Sequence, residues 1–240
     1  MLVDGGVNSI AAGEMWHLLD NRFELPVTMM PISVFNTVNL NRYNTIIFPP
    51  GAYGTITETA KEKLKAWIQN GGVIIGLESA INWFNAAGLG IFVTKKDEVT
   101  AEKDSATQRA YADIEEFTGA QRTSGAIFEA TVDLSHPLLY GYSQPRMSMF
   151  KGNNLFMEKS ANVYGSPMVY TANPLQTGYI SAKNLSKVKG SSVVRISVLG
   201  QGRVIGFTEN LAFRAFWFGT NKLLMNAIFY GPIIDPASAR

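Results

Sequence analysis

The chain has 240 residues, 46% hydrophobic and 17% charged, which is enough apolar sequence for one large folded domain spanning 1–240. A formal net charge of +2, with no Lys/Arg run, argues against a nucleic-acid partner. The chain has no cysteine, which excludes disulfides and thiolate chemistry, and no stretch reaches the roughly 20 apolar residues of a membrane helix.

Residues 1–90 alternate apolar runs with amphipathic stretches and predict a βα core. Leu2-Val3 ends a first strand, 5–9 form a turn, and 11–23 predict a helix. Three more strands are predicted at 27–32, 45–48 and 73–77. Apolar strands separated by amphipathic helices favour an α/β fold, which we expect to be a flavodoxin-like three-layer sandwich with a mainly parallel sheet.

The helix between the third and fourth strands carries clear local signals. Thr55 and Glu58 have capping-box spacing, which places the helix start at Thr55. Asn70-Gly71-Gly72 ends the helix, because glycine tolerates the left-handed cap. One face is apolar and is expected to be buried: Ala60, Leu64, Trp67 and Ile68.

The second half of the sequence changes character. Residues 95–109 are charged and of mixed sign, which indicates a solvated loop, and 111–117 predict a short helix. A β-rich part follows over 127–208, and a final helix is predicted at 220–229 within the region 211–230. The β-rich part contains six predicted strands: 127–133, 147–150, 154–158, 163–171, 192–199 and 203–208.

The junction Gly76-Leu77-Glu78-Ser79-Ala80 has the layout of a nucleophile elbow, in which a strand turns sharply into a helix. The residue at the apex should be Cys or Ser, but it is Glu78. Glu78 is a candidate acid/base or nucleophilic carboxylate. Ser79 is either a displaced nucleophile or the N-cap of the following helix.

Ligands of open α/β sheets bind above the carboxyl ends of the strands. There, 5–9 is either a phosphate loop or a plain turn, and Gly51 either contributes an oxyanion-hole amide or closes a tight turn. The turn Thr208-Glu209-Asn210 should join this edge if its strand is parallel to the others. The candidate pocket residues are Asn8, Gly51, Tyr53, Glu78, Ser79, Asn210 and Arg214.

The sequence contains two histidines, His17 and His136. The helix position of His17 predicts a solvated side chain, and His136, next to Pro137, is expected to cap a turn. Ser79 needs an imidazole or another base within hydrogen-bond reach to act as a nucleophile. Neither histidine has the spacing of a zinc-ligand pair, so we expect no metal site in this chain.

The run Phe213-Arg214-Ala215-Phe216-Trp217-Phe218 is unusually aromatic. It is either a buried segment ahead of the last helix or a contact patch, because aromatic residues and Arg are enriched at interface hot spots. Phe213, Phe216, Trp217 and Phe218 are the interface candidates.

Several segments together resemble the class I glutamine amidotransferase-like domain found C-terminal to the catalytic domain of certain bacterial zinc carboxypeptidases. The more specific segments are 13–20 (GEMWHLLD) and 213–227, supported by 43–49 (YNTIIFP), 64–72 (LKAWIQNGG), His136-Pro137-Leu138 and Gly202-Arg203-Val204. The resemblance covers nearly the whole chain and implies a flavodoxin-like fold.

The resemblance also implies what is missing. Working members place Cys at the elbow and a His-x-Glu base on a late loop, whereas this chain has Glu78 and Thr208-Glu209-Asn210. We therefore expect a non-catalytic accessory domain. Its implied partner is an upstream peptidase domain of the same polypeptide, which would hold the zinc, and its implied location is the periplasm or outside the cell. The sequence begins within an apparent strand, which fits a piece of a longer protein.

Two alternatives remain open. A second copy of the chain is the other partner considered. The competing function is a hydrolase or small-ligand-binding domain that uses Glu78 and Ser79, with Tyr53 and Arg214, at the strand-end cleft.

Overall fold

The computed structural model describes residues 1–90, 92–95 and 110–239. Apart from Lys95, the predicted loop 95–109 lies outside the described residues. The strands of the described ranges are β1 (Leu2–Val3), β2 (Met30–Pro31), β3 (Thr45–Phe48), β4 (Val73–Leu77), β5 (Ala126–Val132), β6 (Arg146–Lys151), β7 (Met168–Thr177), β8 (Ser192–Leu199) and β9 (Gly202–Phe207). Their α-helices are α1 (Ser9–His17), α2 (Ile32–Phe35), α3 (Glu58–Gln69), α4 (Ala80–Ala86), α5 (Ile114–Ala120), α6 (Ala182–Val188) and α7 (Asn221–Tyr230).

The fold is α/β, built on a seven-stranded sheet of order β3-β4-β9-β8-β7-β5-β6. Strands β3, β4 and β9 are parallel, whereas every pairing from β9 through β6 is antiparallel. The sheet is therefore mixed, and the expected mainly parallel, flavodoxin-like sandwich is not confirmed. One physical reason is the link between β8 and β9: two residues can join only antiparallel neighbours, because a parallel pair needs a long crossover.

The register of the parallel strands creates the edge at which the candidate site lies. Leu77 pairs with Phe207, and the amide of Glu78 donates to the carbonyl of Phe207 at 2.8 Å. The residues that follow β4 and β9 therefore emerge side by side, at the carboxyl ends of both strands. The conditional prediction that Thr208-Glu209-Asn210 joins this edge is confirmed.

Helix α3 begins two residues later than predicted. The hydroxyl of Thr57, not Thr55, accepts the amide of Ala60 at 3.2 Å. Thr55 lies in a preceding turn closed by the bond from the amide of Ile56 to the carbonyl of Tyr53. Its hydroxyl instead donates to the carbonyl of Gly5 at 3.3 Å. The predicted apolar face of α3 is buried, as expected.

Other boundaries differ where tertiary contacts override local pattern. The predicted strand 27–32 is reduced to Met30–Pro31 and continues directly into α2. The predicted strand 154–158 is absent, and Met157 alone makes isolated bridges to Thr94 and Ser192. The predicted strand 163–171 is displaced to β7, and α6 interrupts the β-rich part without having been predicted. The predicted helices at 11–23, 111–117 and 220–229 correspond to α1 with the π-helical turn Leu18–Arg22, to the segment 111–120, and to α7.

No helix among the described residues is both long and apolar enough to span a bilayer.

Candidate functional site

The strand-to-helix junction has the geometry of an elbow. Strand β4 is entirely buried, and a Cβ on Gly76 would come within 2.3 Å of the Phe84 ring, so glycine lets α4 pack closely on the strand. Glu78 has a φ of 49°, in the left-handed region. That conformation costs a residue with a side chain roughly 1–2 kcal/mol. The turn therefore presents Glu78 at its apex, where a working enzyme would hold its nucleophile.

Ser79 is bound to backbone rather than to a base. Its Oγ accepts the amide of Gly51 at 2.9 Å and lies 3.3 Å from the carbonyl oxygen of the same residue. Ser79 stands at the N-cap position of α4, but its side chain makes no capping bond. Among the described residues, no hydrogen bond joins Ser79 to an imidazole. The amide of Gly51, the candidate oxyanion donor, is already used.

Both histidines have the structural roles expected from the sequence. His136 Nδ1 accepts the amide of Leu138 at 3.2 Å and so caps the turn at Pro137. Burial lowers the pKa of His136 to about 4, with Asp133 opposing the shift, so the imidazole is neutral at pH 7. His17 is exposed at the end of α1. Neither supplies a base at the elbow.

A cavity of about 220 Å³ opens beside the elbow. Four of the seven predicted pocket residues line it: Asn8, Glu78, Asn210 and Arg214. Its other lining residues are Ile10, Ala11, Glu14, Phe150, Gly152 and Phe213.

The structure does not bring the other three candidates into this cavity. Gly51 and Ser79 bind each other beside the elbow. Tyr53 is a core residue, 1% exposed, which corrects its assignment to the pocket. Its hydroxyl donates to the carbonyl of Pro49, and its ring packs with those of Phe48 and Trp83. Burial raises the pKa of Tyr53 far above its ordinary value, so it is not an acid/base group.

Glu14 is a pocket residue that sequence reasoning missed. Its Oε1 accepts the backbone amide of Arg214 at 2.9 Å, and its Oε2 accepts the side-chain amide of Asn210. Arg214 and Ala215 both have left-handed φ values, 48° and 57°. The Glu14 carboxylate thus stabilises a strained turn that forms one wall of the cavity. Its position on α1, six residues after the cap Asn8, was the available signal.

A buried ion pair near Glu78 was also missed. Lys151 Nζ lies 2.8 Å from Glu209 Oε1, and both side chains are at most 1% exposed. Lys151 also donates to the Asn153 side chain and to the carbonyl of Leu155, at 3.0 and 2.8 Å. The hydroxyl of Tyr170 donates to Glu209 at 2.8 Å. The only sequence signal is a lysine that ends the apolar strand β6.

The electrostatics single out Glu78. Its pKa is raised to about 7, first by burial and then by the negative charge of Glu209, while Lys151 opposes the shift. Burial also raises the pKa of Glu209 against the pull of Lys151. No ion pair in the described part of the chain includes Glu78. Lys151 is already saturated by other acceptors.

The aromatic run is partly exposed. Phe216 and Phe218 are each 56% exposed, whereas Phe213 stacks on Phe150 with ring centroids 3.9 Å apart and Trp217 is half-buried. The Arg22 guanidinium lies 3.9 Å from the Phe218 ring centroid. The run is therefore neither fully buried nor a continuous flat patch: Phe213 belongs to the pocket, and Phe216 and Phe218 project outward.

No group of three His, Asp or Glu side chains that could hold a metal ion converges within the described ranges. The polar groups of the pocket are two carboxylates, two amides and an exposed guanidinium.

No protein-family model matches the sequence, and no curated protein matches it significantly. Solved structures do match in fold. A ThuA-like protein from Parabacteroides merdae has a TM-score of 0.59 at 14% identity, covering 95% of this chain and 87% of that one. PurLQS from Thermotoga maritima has a TM-score of 0.55 at 15% identity, with 95% and 96% covered. A GMP synthase protein from Thermoplasma acidophilum has a TM-score of 0.52 at 10% identity, with 95% and 90% covered. These similarities, over almost the whole of each chain, show that this protein has a class I glutamine amidotransferase-like fold.

Proposed function

We propose that the chain is a non-catalytic accessory domain of a zinc carboxypeptidase, in which the strand-end pocket binds a ligand without converting it. One observation carries the proposal: the elbow presents Glu78, and the adjacent Ser79 hydroxyl is bound to Gly51. Acyl transfer requires a nucleophile activated by a base within hydrogen-bond reach.

The late loop offers no replacement base. The Glu209 carboxylate is paired with Lys151 and accepts from Tyr170, and Asn210 is bound to Glu14. These bonds are complete without a substrate. Each group therefore has a structural role that proton transfer would disrupt.

The peptidase context is supported by the sequence resemblance. It proposes an upstream peptidase domain of the same polypeptide as the partner, zinc held by that domain alone, and a periplasmic or secreted location. The described residues of this chain contain no converging set of three zinc-ligand side chains. The outward-facing Phe216 and Phe218 are the proposed contact with the peptidase domain, because exposed aromatic side chains lose the most apolar area on docking.

The test measures association between this chain and the separately expressed peptidase domain encoded with it, by sedimentation velocity. We expect a 1:1 complex that weakens in the double variant Phe216→Ala, Phe218→Ala. Phe229→Ala is the matched control, since Phe229 is also 56% exposed but lies on α7. A lack of association, together with unchanged activity when this domain is deleted from the parent enzyme, would contradict the proposal.

A second candidate function rests on the pKa of Glu78, about 7, which suits a general acid or base. Under this alternative the chain is a hydrolase. Assays of the full chain against ester, amide and glutamine substrates would then show turnover that Glu78→Gln abolishes. Inactivity on all three substrate classes would leave binding as the function.

A further inference from the structure

Glu78 is a half-buried carboxyl group without a cation. The nearest ammonium group, that of Lys151, donates its protons to Glu209, Asn153 and the carbonyl of Leu155. A second carboxylate, Glu14, lines the same cavity. A carboxylate withdrawn from water without a counter-charge is unfavourable, and a bound cation would remove that penalty.

Two positive features face the same cavity, and neither neutralises Glu78. The N-terminus of α1 carries a partial positive charge, but Asn8 Oδ1 already accepts the amide of Ala11 at 3.1 Å. Arg214 is exposed, and its guanidinium carbon lies 5.3 Å from the Phe213 ring centroid. The carboxylates of Glu14 and Glu78 outweigh a single capped helix end and a solvated guanidinium.

The remaining walls are apolar. The Phe150 and Phe213 rings stack at 3.9 Å on one side, and Ile10 is 74% exposed at the other. An isoleucine this exposed at a cavity mouth leaves apolar area free for a ligand to cover. Aromatic faces also attract cations. The volume of about 220 Å³ lies below the roughly 300 Å³ at which drug-sized pockets begin, so the ligand is small.

We propose that this pocket binds a primary ammonium group carried on a small apolar or aromatic group, with the ammonium on the Glu78 carboxylate and the apolar part between Ile10 and the Phe150–Phe213 pair. The free amino terminus of a peptide whose first residue is apolar has this chemistry, as does a free arylalkylamine. This inference rests on the proposed function, since it names the ligand of a pocket that binds without converting.

The experiment uses three compounds of one shape that differ in charge: 2-phenylethylamine, 2-phenylethanol and 3-phenylpropionate. Binding to the full chain is measured by NMR titration at pH 8, where Glu78 is mostly ionised and the amine is still protonated. We expect the amine to bind about tenfold more tightly than the alcohol, and the carboxylate more weakly still. Glu78→Gln should equalise the amine and the alcohol. Glu62→Gln, a change at an exposed glutamate of α3, should leave the preference intact.

Equal affinity for amine and alcohol, tighter binding of 3-phenylpropionate, or an amine preference that survives in Glu78→Gln would each overturn the proposal. A peptide with a free apolar N-terminal residue, compared with its N-acetylated form, separates the two ligand sources. Preference for the free peptide over phenylethylamine supports the peptide source, and preference for phenylethylamine supports the free amine. If no compound binds and no substrate is turned over, the ligand inference fails while the non-catalytic proposal stands. Turnover of an ester, amide or glutamine substrate would instead remove the proposed function.

Discussion

Replacing Lys151 by methionine tests whether the buried ion pair near the site is as important to the fold as its geometry indicates. Methionine keeps the length of the apolar stem but removes the ammonium group. Glu209 then remains fully buried with hydrogen bonds from the hydroxyls of Tyr170 and Thr208, at 2.8 and 2.9 Å, and no counter-charge.

Removing one partner of a buried ion pair typically costs about 3–5 kcal/mol. The two hydroxyl donors offset part of this penalty, so we expect Lys151→Met to lower the free energy of unfolding by about 3 kcal/mol at pH 8. The loss should be smaller at pH 5. The folded-state pKa of Glu209 is already above its ordinary value and rises further without Lys151. A carboxyl group with a raised folded pKa contributes stability at low pH that is lost as the pH rises through that value.

The assay is urea unfolding of wild type and variant at pH 5 and pH 8. Lys159→Met is the matched control, because Lys159 is exposed and should change stability by no more than about 0.5 kcal/mol. A loss below about 1 kcal/mol at pH 8, or the same loss at both pH values, would refute the reasoning.

Three further predictions concern the elbow and the core. Glu78→Gly should be more stable than Glu78→Gln by about 1 kcal/mol in urea unfolding, because glycine adopts a φ of 49° without strain; equal stability would show that the elbow is unstrained. The folded pKa of Glu78, about 7, lies above its ordinary value of 4.5, so the stability of wild type relative to Glu78→Gln should fall as the pH rises from 5 to 8, and a pH-independent difference would contradict this. Gly202→Ala should cost about 3 kcal/mol or prevent folding, because its Cβ would lie 2.0 Å from the carbonyl oxygen of Ile68; Gly219→Ala, which meets open space, should be near neutral, and equal effects would disprove the steric account.

The parts of the structure that follow from local pattern were predictable from the sequence. The apolar runs of β3, β4 and β8 and the amphipathic face of α3 are read directly from residue periodicity. The direction of the later strands was not, because strand polarity depends on which connection closes the sheet. The π-helical turn at Leu18–Arg22 and the helix α6 likewise depend on tertiary packing.

The candidate site was only partly predictable for the same reason. Glu78 and Asn210 follow apolar strands, so their place at the sheet edge can be inferred. Lys151, Glu14 and Glu209 come from three distant segments, and the interactions among the pocket and network residues link positions separated by 58 and 200 residues. Sequence spacing carries no record of such contacts. The assignment of Tyr53 to the pocket failed because a polar hydroxyl was taken as a sign of exposure, whereas it donates to the carbonyl of Pro49 in the core.

The central claim is that the Ser79 hydroxyl, bound to the backbone of Gly51, is not an activated nucleophile. Intact-mass analysis of the full chain after incubation with a fluorophosphonate tests this most directly, since that reagent labels serines activated by a base. The account predicts an unmodified mass. A stoichiometric adduct that maps to Ser79 and disappears in Ser79→Ala would contradict it.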